Sequence, residues 1–173
     1  MNYKVLKNGE LLRVYSCKVY PKPYNSTEHM EYVMFNVDDR EEIVIESETE
    51  IKSAVIRPLS AGISFEISFG KIILSVDRPV KLSVEINGSS NNNLMIFAYK
   101  EEFIGPTHNY IKITQDEYKT GTLLIEKDNT TVYIEEGATL YGNIIAKNCN
   151  NITICGRGRV CMERYTYEMR KNF

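Results

Sequence analysis

Acidic side chains and two histidines are the first residues whose types could support catalysis or metal binding. The run Asp38-Asp39-Arg40-Glu41-Glu42 clusters carboxylates, whose oxygen atoms are calcium ligands. It lacks the ligand spacing and the glycine of an EF-hand loop, so we interpret it as a solvated turn between strands. His29 and His108 could each act as a general base. Neither accompanies a Ser or Cys in a recognisable nucleophile motif, so we assign neither a catalytic role.

The cysteines and one glycine–arginine run could bind a metal or a phosphate, but their spacing argues against both. Cys17, Cys149, Cys155 and Cys161 include no CxxC pair, and we expect them to be buried free thiols. Gly156-Arg157-Gly158-Arg159 lacks the glycine fingerprint of a dinucleotide site and a following helix, so we interpret it as a turn. The sequence therefore predicts no metal site and no cofactor.

Tyrosine is the residue type with the clearest binding chemistry, because its ring combines an apolar face with a polar hydroxyl. The chain has 12 Tyr and no Trp, the ring that usually stacks most strongly on sugars. Tyr20, Tyr24, Tyr99 and Tyr110 lie in or beside predicted loops and are the candidate sugar-binding residues. The competing interpretation is that these rings cover β-sheet cores for purely structural reasons.

Composition and charge limit the classes of partner. The 173 residues carry 21 Lys+Arg and 23 Asp+Glu, a net charge of −2, so no overall field attracts a polyanion and we expect no nucleic-acid partner. No stretch approaches the roughly 20 apolar residues of a membrane span. The first residues, Met1 to Leu12, lack the unbroken apolar segment of a secretory signal. These features predict a cytoplasmic protein without a membrane partner.

The hydrophobic pattern predicts strands, because apolar residues alternate with polar ones. Ile63–Phe69 and Val80–Ile86 show this most clearly, with Phe65 and Leu82 on the predicted core faces. Ile72–Val76 lies between them, and we predict that the three segments are successive antiparallel neighbours. No amphipathic helix is predicted. Further strands are expected at Leu11–Tyr20, Tyr32–Val37, Glu42–Glu46, Ala54–Arg57 and Leu94–Tyr99.

Beyond a break in composition near Glu101–His108, the predicted strands become short and the turns regular. Gly or Asn separates these strands, and both tolerate the positive φ that a solenoid corner needs; Asn148, Asn150 and Asn151 fit such corners. We expect little more than one coil, whereas about three repeats usually stabilise a solenoid. The short strands are predicted at Thr122–Ile125, Thr131–Ile134, Leu140–Tyr141, Ile144–Ala146, Ile152–Ile154 and Val160–Met162.

The segments around these short strands carry a family resemblance. TVYIEEGATLYGNI at 131–144, followed by ITICGRGRV at 152–160, resembles the opening coils of the right-handed parallel β-helix in polygalacturonase-like and dextranase-like glycoside hydrolases. Upstream, VIRPLSAGISFEI, RPVKLSVEING and NNLMIFA look like the β-sandwich that precedes the helix in some of these enzymes. The resemblance implies an all-β fold, with an N-terminal antiparallel β-sandwich over residues 1–105 and the start of a truncated parallel β-helix over 106–173.

The same resemblance implies which catalytic motifs to look for. In polygalacturonase-like enzymes the acid and base carboxylates and their supporting residues lie in Asn-Thr-Asp, Asp-Asp, Gly-His-Gly and Arg-Ile-Lys motifs of later coils. Asp38-Asp39 matches one of them only as a dipeptide in the wrong domain, so no catalytic residue is assigned. We therefore interpret the chain as the non-catalytic N-terminal part of a polygalacturonase-like glycoside hydrolase in polysaccharide degradation, inactive alone. The alternative is a stand-alone carbohydrate-binding or scaffold β-sandwich module.

An unfinished β-helix must cover its last coil, because a coil with no successor exposes strand edges and apolar interior. We expect one of two solutions. Either the tail covers the end through Tyr165, Tyr167, Met169 or Phe173, or a second copy does so, giving a homodimer through the open β-helix end. A carbohydrate is the other expected partner.

Overall fold

The computed structural model describes residues 3–18, 29–101, 108–115 and 119–162. The chain forms two compact units, Met1–Glu102 and Phe103–Phe173. The described residues contain strands and one short 3-10 segment, Leu59–Ala61, which confirms the all-β prediction. Within these ranges, no helix is long and apolar enough to cross a membrane.

The described strands of the first unit form two five-stranded sheets. Its described strands are β1 (Tyr3–Lys7), β2 (Glu10–Leu11), β3 (Tyr15–Lys18), β4 (His29–Asn36), β5 (Glu41–Ser47), β6 (Ala54–Arg57), β7 (Phe65–Ser68), β8 (Lys71–Val76), β9 (Val80–Ile86) and β10 (Leu94–Tyr99). Sheet A has the order β2-β1-β5-β8-β7, with all neighbours antiparallel. Sheet B has the order β3-β4-β10-β9-β6, in which β4 and β10 are parallel and the other neighbours are antiparallel.

The two sheets form two layers around one hydrophobic core, because alternate residues of each inner strand point inward. From sheet A, β8 buries Ile72, Leu74 and Val76. From sheet B, β9 buries Leu82 and Val84 in the same core. The prediction that Leu82 is a core residue is confirmed.

The prediction that three successive strands are antiparallel neighbours is wrong for one pair. β7 and β8 do form a hairpin, with Phe69 and Gly70 both at positive φ in its turn. β8 and β9 lie in different sheets, so the connection that contains Pro79 carries the chain from one layer to the other. β8 and β9 each have one apolar face. Because the two strands lie in opposite layers, the apolar face of each points toward the shared core.

The prediction of a buried face on β7 is also wrong. Phe65 and Ile67 pair with Leu74 and Ile72, so they lie on the core-facing side of sheet A. β7 is nevertheless an edge strand of that sheet, and Phe65 is 36% exposed and Ile67 37% exposed. Phe69, in the turn, is 100% exposed. Alternation identified the face of the strand correctly, but an edge position leaves this face only partly covered.

β1 is a strand inside sheet A that the sequence analysis did not predict. Asn8, in the turn after β1, exchanges hydrogen bonds with Glu42 of β5: its N–H donates to the Glu42 carbonyl and its Oδ1 accepts from the Glu42 N–H, both at 2.9 Å. Glu41 is buried, accepts a hydrogen bond from Asn8 Nδ2 and lies 3.2 Å from Lys7 Nζ. Glu41, expected in a turn, therefore belongs to β5 together with Glu42, the predicted first residue of this strand, and both anchor β1.

The described strands of the second unit alternate between two three-stranded sheets. They are β11 (Asn109–Ile113), β12 (Lys119–Ile125), β13 (Thr130–Ile134), β14 (Thr139–Ala146), β15 (Thr153–Gly156) and β16 (Arg159–Cys161). Sheet C has the order β11-β13-β15 and sheet D the order β12-β14-β16, with every neighbouring pair parallel. Asn109 pairs with Thr130 and Thr131 with Thr153, so one repeat spans 21 or 22 residues in sheet C.

The expectation of little more than one coil is wrong, because the described residues contribute three strands to each parallel sheet. The two sheets share one core, to which sheet C contributes Val132 and Ile134 and sheet D contributes Ile125 and Leu140. The sequence analysis missed β11, whose Ile113 is fully buried in this core. Three stacked passes bury a continuous interior that a single pass could not.

The turns and close contacts of the second unit depend on asparagine and glycine. Asn148 and Asn151 have positive φ, as predicted for corners, whereas Asn150 does not. Gly142 lies directly opposite Gly121 in sheet D, where an added Cβ would collide with the Gly121 carbonyl oxygen. Glycine therefore permits a backbone approach at this point that any side chain would prevent.

The interpretation of Gly156-Arg157-Gly158-Arg159 as a turn holds for its two middle residues, because Gly156 ends β15 and Arg159 begins β16. Arg157-Gly158 joins the two strands, and the Gly158 N–H donates a hydrogen bond to the Ile134 carbonyl at 2.9 Å. No disulfide bond joins the four cysteines, as expected. They are half-buried rather than buried, and Cys155 and Cys161 lie on the edge strands of sheets C and D, where burial is incomplete.

We predict that Leu82→Ala lowers the free energy of unfolding by roughly 2–5 kcal/mol, because it leaves a cavity in a closed core. Phe65→Ala is the matched variant on the partly exposed edge strand, and we expect it to cost less, roughly 1–2 kcal/mol. Urea denaturation of both variants measures the difference. Equal losses at the two positions would contradict the placement of β7 at an uncovered edge.

We also predict an acid-sensitive contribution from Glu41. Burial raises the pKa of its carboxyl, but hydrogen bonds from Lys7 and Asn8 and the Lys7 charge lower it by more, so the pKa lies below its ordinary value. Ionised Glu41 therefore stabilises the folded state above the pKa of the unfolded chain, and this contribution is lost as the pH falls through the folded-state pKa.

Glu41→Gln should accordingly reduce the free energy of unfolding at about pH 7, and the deficit should shrink toward about pH 3. Glu42→Gln, at the neighbouring exposed position of β5, is the control and should show little change. Chemical denaturation across this pH range is the measurement. A deficit that stayed constant with pH would show that the Lys7–Asn8–Glu41 contacts do not act through the carboxylate charge.

Candidate functional site

A cavity of about 420 Å³ lies at the first turn of the second unit, between the start of β11 and the segment that joins β12 to β13. We call it the first-turn cavity. An aromatic ring, aliphatic side chains and charged groups meet there, which is the combination that ligand pockets commonly use. The lining residues are His108, Asn109, Tyr110, Ile111, Leu124, Ile125, Glu126, Lys127 and Thr130.

Tyr110 is the sequence-predicted candidate that lines this cavity. It pairs with Thr131 across sheet C and alternates along β11 with the core residues, so its side chain lies on the outer face. Its side chain is 48% exposed. The ring stacks on that of Tyr133, with centroids 6.4 Å apart and planes inclined by 20°. This stacking restrains the Tyr110 ring and presents an exposed aromatic face in a defined orientation.

An ion pair accompanies the two stacked tyrosines. Lys112 Nζ lies 3.0 Å from Glu135 Oε1, and both side chains are partly exposed. The hydrogen bond with Glu135 raises the pKa of Lys112, its negative charge adds to this effect, and Tyr110 and Tyr133 raise the pKa further. Lys112 is therefore a charged hydrogen-bond donor beside the rings, suited to a hydroxyl-rich ligand.

The turn that brings Glu126 and Lys127 to the cavity is held by hydrogen bonds. Thr130 is buried, and its Oγ1 donates to the Lys127 carbonyl at 2.7 Å. Asn109 Nδ2 donates to the Asp128 carbonyl at 2.8 Å. Both bonds end on backbone carbonyls of this turn. They therefore restrain the backbone from which the Glu126 and Lys127 side chains extend.

Tyr99 lies in the first unit, within a row of aromatic rings on sheet B. Its ring stacks on Phe97 with a centroid distance of 6.4 Å, and Phe97 meets Tyr32 edge-on at 6.0 Å. Tyr32 stacks on Tyr15 at 5.1 Å, and the Arg13 guanidinium lies 4.8 Å from the Tyr15 ring centre. Tyr99 is half-buried in this row. Its packing favours the structural interpretation over sugar binding.

Of the other candidates from the sequence, His108 also lines the first-turn cavity, and the remaining described ones are not placed there. Tyr20 and Tyr24 lie outside the described residues. His29 begins β4 in the first unit. Asp38 and Asp39 form the turn before β5, where Asp39 Oδ1 accepts a hydrogen bond from the next backbone N–H at 2.8 Å. Over the described ranges, no group of three His, Cys, Asp or Glu residues is placed to hold a metal ion.

Sequence analysis missed Tyr133, Glu126 and Lys127 as members of this region. Tyr133 meets Tyr110 because parallel pairing brings together residues about one repeat apart, and no local pattern indicates that contact. One usable signal was present. Asparagine recurs at the corners after one repeat, as at Asn129 and Asn151. These two side chains meet in the structure, where Asn151 Nδ2 donates a hydrogen bond to Asn129 Oδ1 at 2.6 Å.

Comparison with known proteins supports the fold and gives no family assignment. No family model matches the chain, and no curated protein matches it. Among solved structures, Dex49A from Penicillium minioluteum is similar over 95% of this chain and 46% of that chain, with a TM-score of 0.53 and 18% sequence identity. Dex49A is a dextranase, a glycoside hydrolase with a right-handed β-helix. This chain thus spans less than half the length of Dex49A.

Proposed function

We propose that this chain is a non-catalytic N-terminal part of a polygalacturonase-like or dextranase-like glycoside hydrolase in polysaccharide degradation. The structural likeness to Dex49A, which extends over 95% of this chain, is the observation that carries the proposal. In this proposal the first unit is a β-sandwich. The second unit, with two parallel sheets that repeat every 20 to 22 residues, forms the first turns of a right-handed β-helix.

The role we propose for the chain is to bind carbohydrate at the first-turn cavity. A sugar ring has an apolar face and an equatorial rim of hydroxyl groups, so it needs an aromatic surface and hydrogen-bonding groups around it. Tyr110 offers the aromatic surface, and Glu126 and Lys127 offer a hydrogen-bond acceptor and a donor at the cavity wall. The ligand class is therefore a neutral or weakly acidic oligosaccharide.

Bond cleavage is not part of this proposal. Inverting glycoside hydrolysis requires two carboxyl groups roughly 6.5–9.5 Å apart, with room for a water molecule between them. In the second unit, Glu135 is engaged with Lys112 and Asp128 Oδ1 accepts the Asn150 N–H at 2.6 Å. These carboxylates stabilise the sheet surface and the turn.

The alternative function is a stand-alone carbohydrate-binding or scaffold module. The described lining of the cavity falls within residues 108–130, so the proposed binding site requires residues from the second unit alone. Both functions predict the same binding. They differ in whether the natural reading frame continues past Phe173 into coils with paired Asp motifs, and sequencing the gene distinguishes them.

We predict that dextran oligosaccharides or oligogalacturonides bind at the first-turn cavity and that Tyr110→Ala weakens binding roughly two- to ten-fold, the effect of losing one aromatic contact. Phe69→Ala is the matched control, because it removes a fully exposed ring from the turn between β7 and β8. Titration calorimetry gives the affinities, and saturation-transfer NMR shows which protons contact the sugar. Equal weakening by both variants, or binding that Tyr110→Ala leaves intact, would refute the assignment of this site.

We further predict that the chain releases no reducing sugar from dextran or polygalacturonate above the buffer rate, because the catalytic motifs that the resemblance implies do not occur in this sequence in their proper context. Asp38→Asn and Glu126→Gln are the informative variants if any turnover is seen. Activity that survives repurification and is lost in either variant would show that the chain is itself a hydrolase.

A further inference from the structure

We infer that Asn8 is a site of spontaneous deamidation, and that the carboxylate it produces breaks the anchor between the turn after β1 and strand β5. The chain contains the dipeptide Asn-Gly at Asn8-Gly9 and at Asn87-Gly88. Deamidation is fastest in this dipeptide, because glycine has no side chain to hinder attack by its backbone nitrogen. The proposal concerns a modification of the first unit and is independent of carbohydrate binding.

The reaction consumes water and releases ammonia. The Gly9 backbone nitrogen loses its proton to hydroxide and attacks Cγ of Asn8, forming a new N–C bond. The bond between Cγ and Nδ2 then breaks, and Nδ2 takes a proton from water and leaves as ammonia. Hydroxide adds to either carbonyl of the resulting succinimide ring and opens it to aspartate or isoaspartate. A neutral amide is thereby replaced by a carboxylate.

The two Asn-Gly dipeptides occupy similar turns. Asn8-Gly9 forms the two-residue loop between β1 and β2, and Asn87-Gly88 directly follows β9. All four residues have φ between 50° and 83°, and all four are exposed. Because the two sites share their dipeptide, their turn conformation and their exposure, the contacts that hold each turn decide which asparagine reacts first.

The turn at Asn8 lies at a short edge strand. β2 has two residues, both exposed, and among the described strands it pairs with β1 alone. Its Leu11 is 66% exposed, so little apolar burial keeps the hairpin closed. Succinimide formation requires Asn8 to leave the turn conformation so that its Cγ reaches the Gly9 nitrogen. Local opening of this hairpin end permits that rotation without unfolding the core.

The turn at Asn87 is held by the backbone of a buried segment. Its Oδ1 accepts hydrogen bonds from the N–H groups of Lys52 and Ser53 at 2.9 and 3.2 Å, and its Nδ2 donates to the Glu50 carbonyl at 2.8 Å. Ile51, within this segment, is 3% exposed and belongs to the core of the first unit. Rotation of Asn87 must break these bonds, so folding protects this site more strongly.

The contacts of the Asn8 side chain determine the effect of its modification. Its Nδ2 donates to Glu41 Oε2, and its Oδ1 accepts the Glu42 N–H at 2.9 Å. Deamidation replaces Nδ2 with an oxygen, so two carboxylates meet where a hydrogen bond was. These like charges repel, and Lys7, 3.2 Å from Glu41 Oε1, supplies one positive charge beside them. The modified turn therefore loses its attachment to β5.

The first test is a time course of deamidation in the full chain, followed by peptide mapping with mass spectrometry in mildly alkaline buffer. We expect Asn8 to react roughly ten-fold faster than Asn87 in the folded chain, because its turn opens more often. In concentrated urea, where neither turn is formed, the two rates should become similar. Equal rates in the folded chain, or faster reaction of Asn87, would overturn the proposal.

The second test uses Asn8→Asp, which introduces the charge of one product. Its equilibrium constant for folding, from urea denaturation, should fall roughly ten-fold or more, because a hydrogen bond to a charged group is replaced by repulsion. Asn87→Asp is the matched control and should have a smaller effect, because a carboxylate oxygen can still accept the Lys52 and Ser53 N–H groups.

A double variant tests whether the loss acts through Glu41. Adding Glu41→Gln to Asn8→Asp should recover part of the lost stability, because the introduced amide can donate to the introduced carboxylate. No recovery in the double variant, or a larger loss in Asn87→Asp than in Asn8→Asp, would contradict the proposed effect of deamidation on the anchor.

Discussion

Each strand of this protein must bury one apolar face and pair its backbone at its edges, and both units depend on meeting these two requirements together. In the first unit two antiparallel-rich layers do so around one core, with Leu74 and Leu82 entering from opposite sheets. In the second unit the chain returns to the same two sheets every 20 to 22 residues, and parallel pairing stacks each pass on the one before. The turns between strands must fit this repeat length, and asparagines at positive φ lie in several of them. Stacking also requires close backbone contact between passes, which the glycine pair of sheet D permits.

The candidate site is a product of the same stacking. Tyr110 has an oriented ring because Tyr133, one repeat later, lies beside it, and the Lys112–Glu135 pair joins the same two strands. The turn with Glu126 and Lys127 is fixed by bonds from Asn109 and Thr130, which begin the two paired strands of sheet C. Thus the contacts that hold β11 on β13 also set the geometry of the cavity wall.

Among the described strands, these requirements are incompletely met at β7 and at β15 and β16. β7 leaves Phe65 and Ile67 partly exposed at one edge of sheet A, next to a fully exposed Phe69. β15 and β16 leave core-facing Ile154 and Val160 half exposed at the end of sheets C and D. Glu66 lies between Phe65 and Ile67 in the sequence, and its side chain is on the opposite face of β7.

The sequence by itself determined the features that depend on neighbouring residues. Period-two alternation located most strands, including β9 with its buried Leu82, and the Gly and Asn positions located the turns. It missed β1 and β11, and it joined β2 and β3 into one segment, because short mixed sequences carry little alternation of their own and become strands through their partners.

Tertiary structure decided what depends on distant residues. It placed β8 and β9 in different layers, left Phe65 at an edge, and brought Tyr133 to Tyr110. In each case the deciding contact joins residues whose proximity depends on sheet order or on strand stacking, which local periodicity does not encode.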